Sequence, residues 1–189
     1  MGVVRMSAIH PILILLVVYL VVFAEASFGG VRHFFGAQID LLPALVVYTG
    51  LTTGLVTIIL AAICGGLFFD SLSANPLGVS VLPLLLIGTA IYSQRALILR
   101  EQTFAQFVLG LSASAAAPLL TLLWLLSKGQ KPLLGWVSLW QWLVMTLGGG
   151  MLTPVVFRFF GLLERAIVYR PATQTTFRPD REIERGRKL

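Results

Sequence analysis

Residues 41–69 read LLPALVVYTGLTTGLVTIILAAICGGLFF, 29 residues without a charge. One helix of that length would measure about 44 Å at 1.5 Å per residue, well beyond a hydrocarbon core of about 30 Å. Gly50, Thr52, Thr53 and Gly54 lie in its middle, which is turn chemistry. The stretch therefore divides into two short spans, Leu41–Leu51 and Leu55–Phe69, folded as a hairpin. Outside it stand four more apolar runs: Ile9–Phe28 before, and Leu77–Gln94, Phe104–Leu126 and Leu139–Phe160 after. The expected fold is all-α: a polytopic membrane protein with six transmembrane helices in residues 1–160 and a charged cytoplasmic tail over 161–189.

Composition points the same way. Of 189 residues, 57% are hydrophobic and 12% charged, and that charge is about half the quarter usual in soluble domains. Twelve of the 22 charges fall in Arg158–Leu189, so the body has too few to cover a water-facing surface. Nucleic acid is excluded as a partner, because eight of the 14 Lys/Arg sit in the tail with four acids among them. Phosphate-backbone binding needs a basic face, and a hydrocarbon-embedded body offers none. Cys64 is alone, so no internal disulfide forms, and His10 and His33 have neither cysteine nor ligand-spaced carboxylates beside them. There is no Gly-rich phosphate loop, nucleophile elbow or zincin motif. No catalytic, cofactor or metal residues are assigned, and the chain does not read as an enzyme.

With both termini cytoplasmic, 11 Lys/Arg lie inside and Arg32, Lys128 and Lys131 outside, as the positive-inside rule requires. A five-span arrangement with an external N-terminus scores the same 11 to 3, so helix length decides for six. Arg5, the first apolar run and Ala24-Glu25-Ala26 resemble a signal peptide, but the run is long enough to span and further spans follow. Small residues four apart (Gly50/Gly54, Ala61/Gly65, Ala62/Gly66, Gly110/Ser114, Ala113/Ala117) mark close helix packing. Gly148-Gly149-Gly150 and Pro154 should bend or loosen the sixth helix. Trp124, Trp136, Trp140 and Trp142 flank one loop and read as an interfacial belt. Beyond the last span, Arg158–Tyr169 mixes apolar and charged residues, continuing the helix into the headgroups or lying along the surface. Ala172–Leu189 reads as disordered, its charge suited to an anionic inner leaflet or a cytoplasmic partner.

The residues that narrow function are Gly65-Gly66-Leu67-Phe68-Phe69-Asp70-Ser71-Leu72-Ser73-Ala74-Asn75-Pro76-Leu77-Gly78. The hairpin would return Asp40 and Asp70 to one membrane face. Asp40 reads as a helix N-cap, with Pro43 in the first turn. Asp70 falls at a helix C-terminus, where a negative charge meets the negative end of the dipole. It therefore needs compensating donors, for which the turn N–H groups and the hydroxyls of Ser71 and Ser73 are candidates. Asp40, Gly66, Asp70, Ser73, Asn75, Pro76 and Gly78 are the candidates for a partner-docking or structural motif.

In these residues the chain resembles the rod shape-determining membrane protein family, MreD. Asp40-Leu41-Leu42 opens a short second span, Gly65 to Asp70 closes the third as Gly-x-Leu-x-x-Asp, and Ser73 and Pro76-Leu77-Gly78 follow. Span order agrees over about Ile9–Phe160, with motif-level similarity confined to residues 40–78. The resemblance implies a non-enzymatic subunit of the bacterial cell-elongation complex in the inner membrane. Such a subunit regulates cell shape and lateral peptidoglycan synthesis by binding the periplasmic scaffold MreC. Through MreC it would connect to the MreB filament, the SEDS-type glycan polymerase and its transpeptidase. The resemblance also implies a fold similar to the substrate-binding subunits of energy-coupling-factor vitamin transporters. One alternative is such a vitamin-binding subunit, although the first span lacks the Ala-x-x-x-Ala docking pattern. Another is a small cation-coupled carrier using Asp40 and Asp70, although both fall at the interface and no internal repeat accompanies them.

Overall fold

In the computed structural model, the described residues (2–27, 39–73, 76–98, 101–130 and 135–168) fold into six helices. These are α1 (Gly2–Ser27), α2 (Leu42–Thr52), α3 (Leu55–Leu72), α4 (Val81–Gln94), α5 (Thr103–Ser127) and α6 (Trp136–Val168). Asn75 and residues 169–189, the latter including the tail segment read as disordered, lie outside the described residues. Leu55–Leu72, Thr103–Ser127 and Trp136–Leu163 are long and apolar enough to cross a membrane; Pro11–Ser27, Leu42–Thr52 and Val81–Gln94 are apolar but shorter. α6 runs on past Phe160 to Val168 without a break.

The long apolar stretch divides where its turn residues stand. Thr53 leaves the helix in extended geometry, its N–H donating to the Thr49 carbonyl, and extended Gly54 opens α3. A Cβ built on Gly65 would lie 3.0 Å from Leu42 Cδ2. Residues on either side of the Thr53–Gly54 turn thus meet far from it, which only an antiparallel hairpin allows.

Helix α2 is the hub. Leu42 through Leu51 are all buried, and α2 touches each of the other five helices. Its sequence explains this: LPALVVYTGL has no polar face for water, and a helix apolar all round must be covered all round. Tyr48 stacks on Phe160 with ring centroids 4.2 Å apart and meets Phe157 edge-on at 5.0 Å. Buried Thr49 donates its hydroxyl to the Val46 carbonyl, so no hydroxyl proton is wasted in the core.

The remaining helices close around α2 through small residues. On α5 and α6, Gly110-x-x-x-Ser114 interlocks with Gly149-x-x-x-Thr153. A Cβ on Gly110 would stand 2.5 Å from Thr153 Cβ, and one on Gly149 would stand 2.6 Å from Ser114 Cβ. The neighbouring glycines of α6 receive Ile39 at Gly148 and Leu111 at Gly150. The Gly148–Gly150 run is therefore a contact surface on successive sides of the helix. On α1, Val18 packs at Gly65 and the Tyr19 ring lies 4.6 Å from that of Phe68, so α1 runs parallel to α3. Large apolar side chains such as Ile12, Leu16, Val56, Leu123 and Val155 face outward. Trp136 is 85% exposed and Trp140 53%, whereas Trp142 is tied in, its Nε1 donating to the Ala115 carbonyl at 3.1 Å.

Candidate functional site

Asp70 sits in the last turn of α3 with 1% of its surface exposed. Its carboxylate accepts two bonds from one residue: the Ser80 hydroxyl at 2.5 Å on Oδ1 and the Ser80 backbone N–H at 3.1 Å on Oδ2. Ser80 is the N-cap residue of α4, and its own side chain makes no cap bond there. The carboxylate of Asp70 thus caps α4 from outside. This resolves the electrostatic problem posed by its position. Its charge is unfavourable at the C-terminus of α3 but favourable at the N-terminus of α4, where unpaired N–H groups point.

The donors are not Ser71 and Ser73, which are nearer in sequence. Those hydroxyls donate instead to the carbonyls of Phe68 (2.7 Å) and Asp70 (3.4 Å) respectively. Ser80 comes within reach because Gly66 lies one turn before Asp70. A Cβ at Gly66 would be 2.9 Å from Val81 Cα and 3.0 Å from Val81 N, so the missing side chain lets the two backbones meet. Gly78 completes the approach with φ +87°, a left-handed conformation that glycine adopts without strain. Exposed Pro76 begins the turn, and the Val79 N–H donates to its carbonyl.

Asp40 lies at the same end of the bundle, one residue before the N-cap position of α2, which Leu41 occupies. Its Oδ1 accepts the Leu42 N–H at 2.9 Å. Beside it, Glu25 of α1 accepts the Leu41 N–H on Oε1 at 2.5 Å. Two carboxylates therefore meet the positive end of α2. Burial pushes the Asp40 carboxyl up to about 6, and the Leu42 N–H bond opposes that rise. Glu25 Oε2 is buried without a hydrogen-bond partner among the described residues.

At the opposite end, Arg95 donates Nη1 to the Thr53 carbonyl at 3.1 Å, with its guanidinium 4.2 Å from the Tyr92 ring centroid. Helix α2 is thus bracketed by carboxylates at its positive end and a guanidinium at its negative end. Asp40, Gly66, Asp70, Ser73, Pro76 and Gly78 all gather at the carboxylate end. Ser80 and Glu25 join them without having been singled out from the sequence. Ser80 carried only the weak signal of a hydroxyl preceding an apolar run, and Glu25 that of a charge inside one.

Comparison with protein-family models, curated proteins and solved structures gives no match to this chain.

Proposed function

We propose that the chain is a non-catalytic, MreD-like subunit of a bacterial cell-elongation complex, acting by binding an MreC-type scaffold. The observation that carries this reading is the convergence of the two halves of the motif. Asp40-Leu41-Leu42 and the Gly65-to-Gly78 segment are separated by a hairpin, yet Leu42 packs at Gly65 and both aspartates cap helix N-termini at one end. A motif whose parts cooperate in one piece of architecture is less readily a chance match of apolar sequence. In this proposal the three shorter apolar helices also cross the membrane, alongside the three longer ones, with both termini cytoplasmic. The carboxylate end then faces outward and the Arg95 end inward, in keeping with the positive-inside distribution. A bundle like the substrate-binding subunits of vitamin transporters belongs to the same proposal.

The test is co-purification from membranes in mild detergent with tagged MreC-type scaffold and, separately, with the coupling ATPases of a vitamin transporter. Retention by the scaffold, together with restored rod shape in cells depleted of their own MreD, is the expected result. Retention by the ATPases alone, or no rescue at normal membrane abundance, would overturn the proposal.

A further inference from the structure

A cavity of about 740 Å³ opens between α2, α5 and α6 at the end of the bundle away from the carboxylates. Arg158 and Arg165 of α6 both line it. They are seven residues apart, two helical turns, and so share one face of the helix about 10.5 Å apart along its axis. Between them a Cβ at Gly161 would meet nothing within 4 Å, so that glycine leaves the wall open. Thr103 and Gln106 bring the first turn of α5 to the cavity, and Gln102 makes no side-chain cap bond there. The first turn of α5 and two guanidiniums thus border one space, a pairing suited to phosphate oxygens. Among the described residues, Glu101 is the one carboxylate in the lining, against the two guanidiniums. Phe157 and Leu162 add apolar wall beside the arginines.

We infer that this cavity binds a phosphate-bearing anion, its phosphate held by Arg158 and Arg165 at the N-terminus of α5. The apolar wall accommodates hydrocarbon, as an anionic phospholipid would supply. The shared chemistry is the phosphate; its source is a lipid headgroup or a free phosphate compound.

The test uses the full chain in neutral detergent, titrated with phosphatidylglycerol, phosphatidylcholine or inorganic phosphate, and read by native mass spectrometry and thermal shift. Phosphatidylglycerol should bind and stabilise more strongly than phosphatidylcholine. R158Q/R165Q should weaken phosphatidylglycerol binding by about tenfold or more, tenfold corresponding to about 1.4 kcal/mol. Gly161→Leu keeps both arginines, fills open space and should weaken binding comparably while melting normally without lipid. Lys128→Gln, at the other end of the bundle, should change nothing. Equal stabilisation by inorganic phosphate, lost in both cavity variants, would assign the site to a free phosphate compound. Stabilisation by the lipid alone would assign it to the headgroup. Equal binding of the two lipids, or unchanged phosphatidylglycerol binding in both cavity variants, would overturn the inference. No protein partner enters the experiment, so its failure is distinct from failure of the elongation-complex proposal.

Discussion

Replacing Asp70 by alanine should be among the most damaging single changes in this chain. The substitution strands two donors, the Ser80 N–H and its hydroxyl, both in a buried residue. Each stranded donor costs about 1–3 kcal/mol, giving a loss of about 2–6 kcal/mol for the pair. Asn at position 70 behaves differently. Its amide oxygen can still accept the N–H, and its NH₂ can donate to the Ser80 hydroxyl, which rotates to accept. What Asn loses is charge at the start of α4, about 1 kcal/mol, partly offset by relief at the end of α3. Ser80→Ala removes one charge-assisted bond and should cost about 1.5–3 kcal/mol. The assay is unfolding in mixed micelles followed by tryptophan fluorescence, with the Asp70→Ala/Ser80→Ala double variant closing a cycle. A coupling near zero in that cycle, or an Asp70→Ala variant within about 0.5 kcal/mol of wild type, would refute the cross-helix cap. In cells, a residue with 1% exposure acts through folding, so Asp70→Ala should lower membrane abundance. Rounded cells at normal abundance would contradict this.

Gly110→Ala and Gly149→Ala each drive a methyl into the Thr153 and Ser114 side chains; a loss of about 1–3 kcal/mol or more is expected from overpacking, and unchanged melting temperatures would show that α5 and α6 can separate freely. Gly66→Ala should push α4 off α3 and weaken the Asp70–Ser80 bonds, so its cost should shrink in an Asp70→Ala background; full additivity would show that the close approach and the cap are independent. In a Cys64→Ser background, Gly54→Cys at the exposed hairpin tip should react with a thiol reagent only from the cytoplasmic side. Labelling from the periplasmic side would reverse the proposed orientation.

Several elements were legible because they rest on local or one-dimensional physics. The Thr53–Gly54 break followed from a charge-free run too long for one crossing, and observed helix ends lie close to the expected ones for α2 to α5. The misfit of Asp70 was also legible, since a carboxylate in the last turn of a helix is a local conflict. Its resolution was not. The nearest hydroxyls, Ser71 and Ser73, were the only candidates a linear reading could supply, whereas the donor is ten residues away. What selects Ser80 is the missing side chain of Gly66 against Val81, a fact of packing. The same holds for Glu25, whose partner Leu41 belongs to the next helix, and for Gly149 and Thr153, whose spacing acquires meaning only opposite Gly110 and Ser114. The Gly148–Gly150 run reads in sequence as a place where the helix bends or loosens; packing adds that neighbour side chains occupy the room its missing side chains leave.

The burial of α2 on every side has a consequence for biogenesis. At about 16 Å long, this helix is only about half as long as a hydrocarbon core is thick, and its neighbours are synthesised on both sides of it. The ring of Tyr48 stacks on Phe160 and meets Phe157 edge-on, both from the last helix to emerge. A fragment that ends before the last helix therefore lacks one of the faces that cover α2, and insertion of the early helices precedes their final packing. A ribosome that stalls before residue 157 leaves a membrane-inserted chain with its centre uncovered, open to quality-control proteolysis, even if each apolar segment has reached its proper depth.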